Sequence, residues 1–376
     1  MIKTKLLDQI KDKNKQNFFI YGLGQIFNLL SPLIVAPYLI SVCKEEGFGK
    51  IGLGFALSLF LILIVDYAFE IKGIKQVSQQ RENQSELQKI INTTLFTKIT
   101  LFFITLIISF FLIFFIPFFS KEKIVFIFSL TIVFAQVFNP IWFLQGLEQF
   151  KLASVLNIVS KIIYVVLIFT LINLKNDYVW ANFFLGTSAL LVNIIGLLII
   201  KRKHKFIIQP PNFSEIIAII KNDFFFCVSQ LSLSVRQLSP LVLTSFFLGY
   251  FAAGQYKIIE QIISLFRTFI QVFLKFFYPR VSYNISLSAE KGFSFWKKYT
   301  LLNILIVAFS LVLILIFSEK ILHFFNVSMQ TINYLNTGFK VSLLVSFLMA
   351  ISLPLEQLMF LINKNKVYIR ITIFVN

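Results

Sequence analysis

Leu30-Ser31-Pro32-Leu33-Ile34-Val35-Ala36 returns about 208 residues later as Leu238-Ser239-Pro240-Leu241-Val242-Leu243-Thr244. Each copy follows a similar opening, Asn17-Phe18-Phe19 in the first and Asp223-Phe224-Phe225 in the second. Each also precedes a glycine break and a Lys-Ile pair: Gly49-Lys50-Ile51, then Gly254 with Lys257-Ile258. Both copies lie inside long apolar segments. A proline at the same place in two such segments points to an all-α membrane protein built from two related halves.

The composition supports this reading. The chain of 376 residues is 57% hydrophobic and only 14% charged, too little charge to keep the surface of a soluble protein of this size wet. Apolar runs of 18–26 residues, each long enough to cross about 30 Å of hydrocarbon, recur along it. Spans are expected near 17–42, 51–68, 94–119, 124–144, 153–172, 179–200, 224–248, 251–277, 300–317 and 341–362. The fold class is therefore a polytopic helical membrane protein with about ten complete transmembrane helices. The run from Val367 reads as the start of an eleventh, so the second half is expected to stop early at Asn376. The halves fall at 1–205, a six-helix lobe, and 206–376.

The net charge of +18 flanks the spans in alternation. Lysines and arginines crowd before the first span and after the second, sixth, eighth and tenth; Lys201, Arg202, Lys203 and Lys205 are the densest group. The intervening gaps hold few. The positive-inside rule then places the N-terminus and the even-numbered loops in the cytoplasm. Because these charges do not gather on one face, they do not read as a nucleic-acid surface. Cys43 and Cys227 lack metal spacing, and His204 and His323 stand alone, so neither a metal site nor a cofactor is expected. No Gly-x-x-x-x-Gly-Lys-Ser/Thr is present, and no hydrophilic segment is long enough for a catalytic domain, so the chain does not read as an enzyme.

Ionisable groups inside spans cost several kcal/mol and are candidate functional groups. In the eighth span Lys257, Glu260, Gln261, Ser264, Arg267, Gln271 and Lys275 share one arc of roughly 120°. Snorkelling explains the two end lysines but not Glu260 and Arg267, so a water-lined cavity or an ion-pair network is expected there. Arg236 in the seventh span and Asn28 in the first both precede the repeated proline by four residues, at the turn whose carbonyl that proline frees. Gln25 shares the face of Asn28. In the fifth span Ser154, Asn157, Lys161 and Tyr164 share a face, with Lys161 about 13 Å deep. Asp66 closes the second span. Substrate contact is expected from Arg236, Arg267, Lys161, Asn28, Gln25, Asn157, Gln261 and Gln271; Glu260 and Asp66 are candidates for ion coupling or ion pairing. The balance is cationic, which suits an anionic substrate, and arginine's fork suits phosphate oxygens.

Two blocks resemble a known family. One is Gly24-Gln25-Ile26-Phe27-Asn28 with Ala36-Pro37-Tyr38-Leu39 and Gly47-Phe48-Gly49. The other, more specific, is Asn139-Pro140-Ile141-Trp142-Phe143-Leu144-Gln145-Gly146-Leu147-Glu148, with Gly254-Gln255-Tyr256 and Phe277-Tyr278-Pro279-Arg280 echoing it later. They are similar to the multidrug/oligosaccharidyl-lipid/polysaccharide exporter superfamily, in its O-antigen and capsule repeat-unit flippase branch. The resemblance implies a MATE-like fold of two pseudo-symmetric lobes opening alternately to each side. It implies an undecaprenyl-diphosphate-linked oligosaccharide as substrate, flipped to the outer leaflet of the bacterial inner membrane. A polysaccharide polymerase and a chain-length regulator are the partners it suggests, besides membrane lipid. The alternatives are an ion-coupled drug antiporter, which would carry acids in the cavity of the N-terminal lobe, where the first span has none, and a membrane polysaccharide polymerase, which would carry a large outer loop with paired acids or Arg/His chemistry.

Overall fold

The computed structural model describes residues 2–327 and 329–361; side chains at 2–23, 25, 26, 29, 233, 236, 275, 276, 278–280, 282, 283, 286, 287, 330, 360 and 361 lie outside the description. The expected eleventh run lies outside it too. Among the described residues twelve α-helices follow in order: α1 Ile2–Asp66, α2 Ile74–Gln79, α3 Gln84–Phe115, α4 Pro117–Ser120, α5 Lys123–Val137, α6 Ile141–Gly146, α7 Phe150–Leu171, α8 Tyr178–His204, α9 Phe213–Leu287, α10 Ala289–Ile316, α11 Ser318–Phe324 and α12 Met329–Leu361. A π-helical turn covers Phe69–Gly73 and a 3-10 turn Lys175–Asp177. There is no strand among the described residues. Backbone groups in hydrocarbon must bond within their own segment, and an unbroken helix does that.

By length and composition seven of these helices can cross a bilayer, or eight if the bent pair Phe213–Ser232 and Gln237–Leu274 is one span. The sequence reading expects ten. The difference arises where helical hydrogen bonding runs through a break. Lys44 interrupts α1 at φ 61, ψ 173, and Gly249 interrupts α9 at φ 84, ψ 176. The same backbone break therefore follows each copy of the proline repeat. Glycine adopts it freely, whereas Lys44 is strained there by about 1–3 kcal/mol.

Contacts show what the first break does. Gly24 lies against Ser154, and the Tyr38 hydroxyl donates to the Ile172 carbonyl at 2.8 Å, so the first part of α1 runs parallel to α7. Gly54 lies against Ser129 and Val125, and Asp66 accepts from Gln136, so the second part runs parallel to α5. Asn182 bonds Ser129 and Asn193 bonds the Ala135 carbonyl, so α8 is parallel to α5. Leu156 near the start of α7 touches Gly196 near the end of α8, so those two are antiparallel. The two parts of α1 must then run in opposite directions, and the chain turns back at Lys44. This bundle has a reversal end, near 43–50, 117–123 and 172–178, and a basic end, near 69–84, 139–150 and 200–206.

The chain forms two compact units, 1–254 and 255–376. The start of α9 packs on the earlier helices. The Tyr67 hydroxyl donates to the Ile220 carbonyl at 2.6 Å, Lys72 pairs with Asp223, and Phe246 meets Phe118 at 5.6 Å between centroids. In the second unit α10 and α12 are antiparallel, with Trp296 donating to the Pro354 carbonyl and Asn303 to that of Ala350, both at 3.3 Å. Pro354 removes the N–H that Ala350's carbonyl would otherwise use, and the Asn303 amide takes its place.

Candidate functional site

Polar groups inside the first unit fall into two kinds, those already satisfied and those left open. The satisfied set is built where α5 stops before Pro140. Carbonyls there lose their helical partners and side chains from neighbouring helices fill them. Asn193 donates to Ala135 at 2.8 Å and Lys98 to Gln136 at 3.4 Å. Lys98 is 1% exposed, its ammonium 2.6 Å from Asp66 Oδ1. The Gln136 amide donates to Asp66 Oδ2 at 2.5 Å, and Asn139 to Gln136 Oε1 at 3.1 Å. One closed network thus joins α1, α3, α5 and the Asn139-Pro140 corner. Asp66 is in an ion pair, and Lys98 is a member that the sequence reading missed. Its signal was present: Thr94, Thr97, Lys98, Thr105 and Ser109 repeat at helical spacing within an apolar run, all buried.

The tryptophan block sits beside this network. Trp142 is buried against Phe69 and Phe143, at 6.4 and 5.7 Å between centroids, and a Cβ on Gly73 would touch its ring at 2.9 Å. Glu148, at φ 57, turns the chain into α7 and accepts from Arg81 at 2.8 Å. The block shapes the basic end of the bundle. Its role here is packing.

The open set lies on α7 and the first part of α1. Ser154 and Tyr164 are buried, Asn157 and Lys161 half-buried. Lys161 has no hydrogen bond or ion pair among the described residues, nor does Asn157 or the half-buried Asn28, and the buried hydroxyls of Ser154 and Ser31 are unpartnered. Gly24 and Ser154 are in contact on helices running the same way, so Asn28 and Lys161, one and two turns further on, occupy adjoining faces. The Gln25 and Arg236 side chains lie outside the described residues.

In the second unit the arc on α9 is half-buried to buried from Lys257 to Arg267. Glu260 pairs with Lys257 one turn earlier, at 2.6 Å. It does not pair with Arg267, seven residues further along the same helix and so about 10 Å away. Arg267 is half-buried, with no hydrogen bond or ion pair among the described residues. Gln261 is buried with its amide nitrogen unpartnered, and Gln271 is exposed. Each unit therefore presents a half-buried cation with no ion pair among the described residues, Lys161 in the first and Arg267 in the second. No cluster of three or more potential metal ligands exists among the described residues.

Described residues without a strand, several bilayer-length helices, polar stripes inside them and paired prolines define a multi-pass helical membrane protein. Comparison with known proteins makes this specific. The chain belongs to the polysaccharide biosynthesis protein family, whose profile matches residues 15–284. An Escherichia coli (strain K12) protein named "Putative O-antigen transporter" is 25% identical over 302 residues, 80% of this chain and 73% of that one. A Shigella dysenteriae protein of the same name is 25% identical over 248 residues, 66% of this chain and 62% of that one. Among solved structures, the MATE multidrug transporter DinF-BH matches with a TM-score of 0.58 at 14% identity, over 95% of this chain and 84% of that one. That likeness establishes a MATE-like fold, as the sequence resemblance implied.

Proposed function

We propose that this chain is a flippase that moves undecaprenyl-diphosphate-linked oligosaccharide units, of O-antigen or capsule, from the cytoplasmic to the outer leaflet of the bacterial inner membrane. The observation that carries the reading is the pair of half-buried cations with no ion pair among the described residues, Lys161 in the first unit and Arg267 in the second. A diphosphate would neutralise a group of this kind, and open amides within the same unit, Asn28 and Asn157 in the first or Gln261 in the second, would bond its sugar, while the polyprenyl tail stays in lipid. Arg236, Gln25 and Gln271 complete the proposed contact set. Lobes 1–205 and 206–376 would open alternately to the two sides. Asp66 and Glu260 each already neutralise a lysine, which favours ion pairing over ion coupling. A polymerase and a chain-length regulator would receive the product on the outer face.

The test is complementation of a bacterial strain lacking its own repeat-unit flippase. The native chain should restore surface polysaccharide. Lys161→Met and Arg267→Ala should each abolish it at normal membrane abundance, with lipid-linked oligosaccharide accumulating inside. Arg267→Lys should rescue partly, since it keeps charge and loses the two-pronged geometry. Full export by the Lys161→Met/Arg267→Ala double variant would refute the assignment. The antiporter reading predicts instead that the native chain extrudes cationic dyes and leaves polysaccharide unchanged.

A further inference from the structure

At the reversal end of the first unit, two segments far apart in sequence meet backbone to backbone. A Cβ on Gly49 would stand 2.0 Å from the Tyr250 carbonyl oxygen, and one on Gly254 would stand 1.9 Å from that of Glu45. Neither position admits a side chain, so the two segments lie as close as helices can. Both glycines belong to the glycine-containing stretch that follows the proline repeat in its copy, so the contact joins corresponding regions of the two copies, though not residue for residue.

A single ammonium ties this contact to the rest of the bundle. Lys50 Nζ lies 2.7 Å from Glu122 Oε1 and 3.0 Å from Glu46 Oε1. It also stands 5.0 Å from the Tyr178 ring centroid and 5.1 Å from that of Tyr250. The Tyr178 hydroxyl donates to Glu122 Oε2 at 2.9 Å. The Lys50 side chain is 12% exposed, so these interactions are partly shielded from water and correspondingly strong.

We propose that Lys50 pins a latch closing the outer ends of the two repeat copies, and that export requires this latch to open. The chemistry suits repeated opening. Charge-assisted and cation–π contacts at a rim can be replaced by water when broken, whereas the Asp66–Lys98 pair has no such outlet. A glycine-on-glycine contact has no interlocked side chains to rearrange when the segments part. The requirement for opening rests on the transport reading; the latch itself rests on the geometry.

Two measurements test it. The first needs no substrate. Cys43 is fully buried one turn before Gly47, beneath the latch, and its labelling by a small impermeant methanethiosulfonate, in a Cys227→Ser background, reports opening. Lys50→Met and Tyr250→Ala should each raise that rate about tenfold. An unchanged rate in both, with protein abundance normal, overturns the latch. The second measurement uses Lys50→Cys/Tyr250→Cys without Cys43 and Cys227, a protease site in the Lys201–Lys205 loop, and a reducible bifunctional thiol reagent. The reagent should join the two fragments on a gel and stop export, and reduction should restore it. Absence of the joined product, or export continuing while joined, overturns the proposal. If the native chain restores no polysaccharide, the transport reading fails while Cys43 labelling and fragment joining still decide the latch.

Discussion

Replacing Lys98 by methionine should be among the most damaging single changes in the first unit, and its size follows from the geometry. The substitution keeps the length of the stem and removes only the charge. Asp66 is then left as a carboxylate whose side chain is 10% exposed, with the Gln136 amide as its described donor, and the Gln136 carbonyl loses a donor too. Removing one partner of a buried ion pair costs about 3–5 kcal/mol, because the remaining charge is uncompensated. Lys98→Met alone should lower the melting temperature in detergent micelles by roughly 5–10 °C, followed by size-exclusion chromatography after heating. Asp66→Leu alone should do about the same. The double variant removes both charges and should recover most of the loss, leaving a cost of about 1–2 kcal/mol and so a coupling energy of about 5–8 kcal/mol. A Lys98→Met melting temperature within about 1 °C of native, or additive losses in the double variant, would refute the buried-pair account.

Topology gives a second test: single cysteines in the Lys201–Lys205 loop and in 318–340, in a background lacking Cys43 and Cys227, should differ in labelling by an impermeant maleimide in intact cells. Only the latter should react, as the charge alternation requires. Helix packing gives another: a Cβ on Gly186 would lie 2.1 Å from Thr131 Oγ1 and 2.5 Å from the Ile132 nitrogen, so Gly186→Ala must push α8 off α5. It should destabilise by about 1–3 kcal/mol, whereas Gly338→Ala, with open space around it, should melt like the native protein.

The sequence by itself determined the class, the repeat and the polar stripes. Bilayer-length apolar runs are a direct consequence of a solvent that cannot bond the backbone, and they can be counted without coordinates. The repeated proline was legible for the same reason, and the matching breaks at Lys44 and Gly249 follow each copy of it. Only the tertiary structure decided which polar groups are spent and which remain open. Glu260 and Arg267 share one face, but Glu260 is spent on Lys257 one turn earlier, while Arg267 has no ion pair among the described residues. Asp66 could have been an interfacial acid, but its partner lies 32 residues further on, on a helix brought alongside by folding. Lys98 is invisible to hydropathy because one charge among many apolar residues scarcely changes an average, while in a closed bundle that charge must find a carboxylate. The contact of Gly49 with Tyr250 and Gly254 likewise depends on two reversals meeting in space, and helical spacing along one chain carries no information about that.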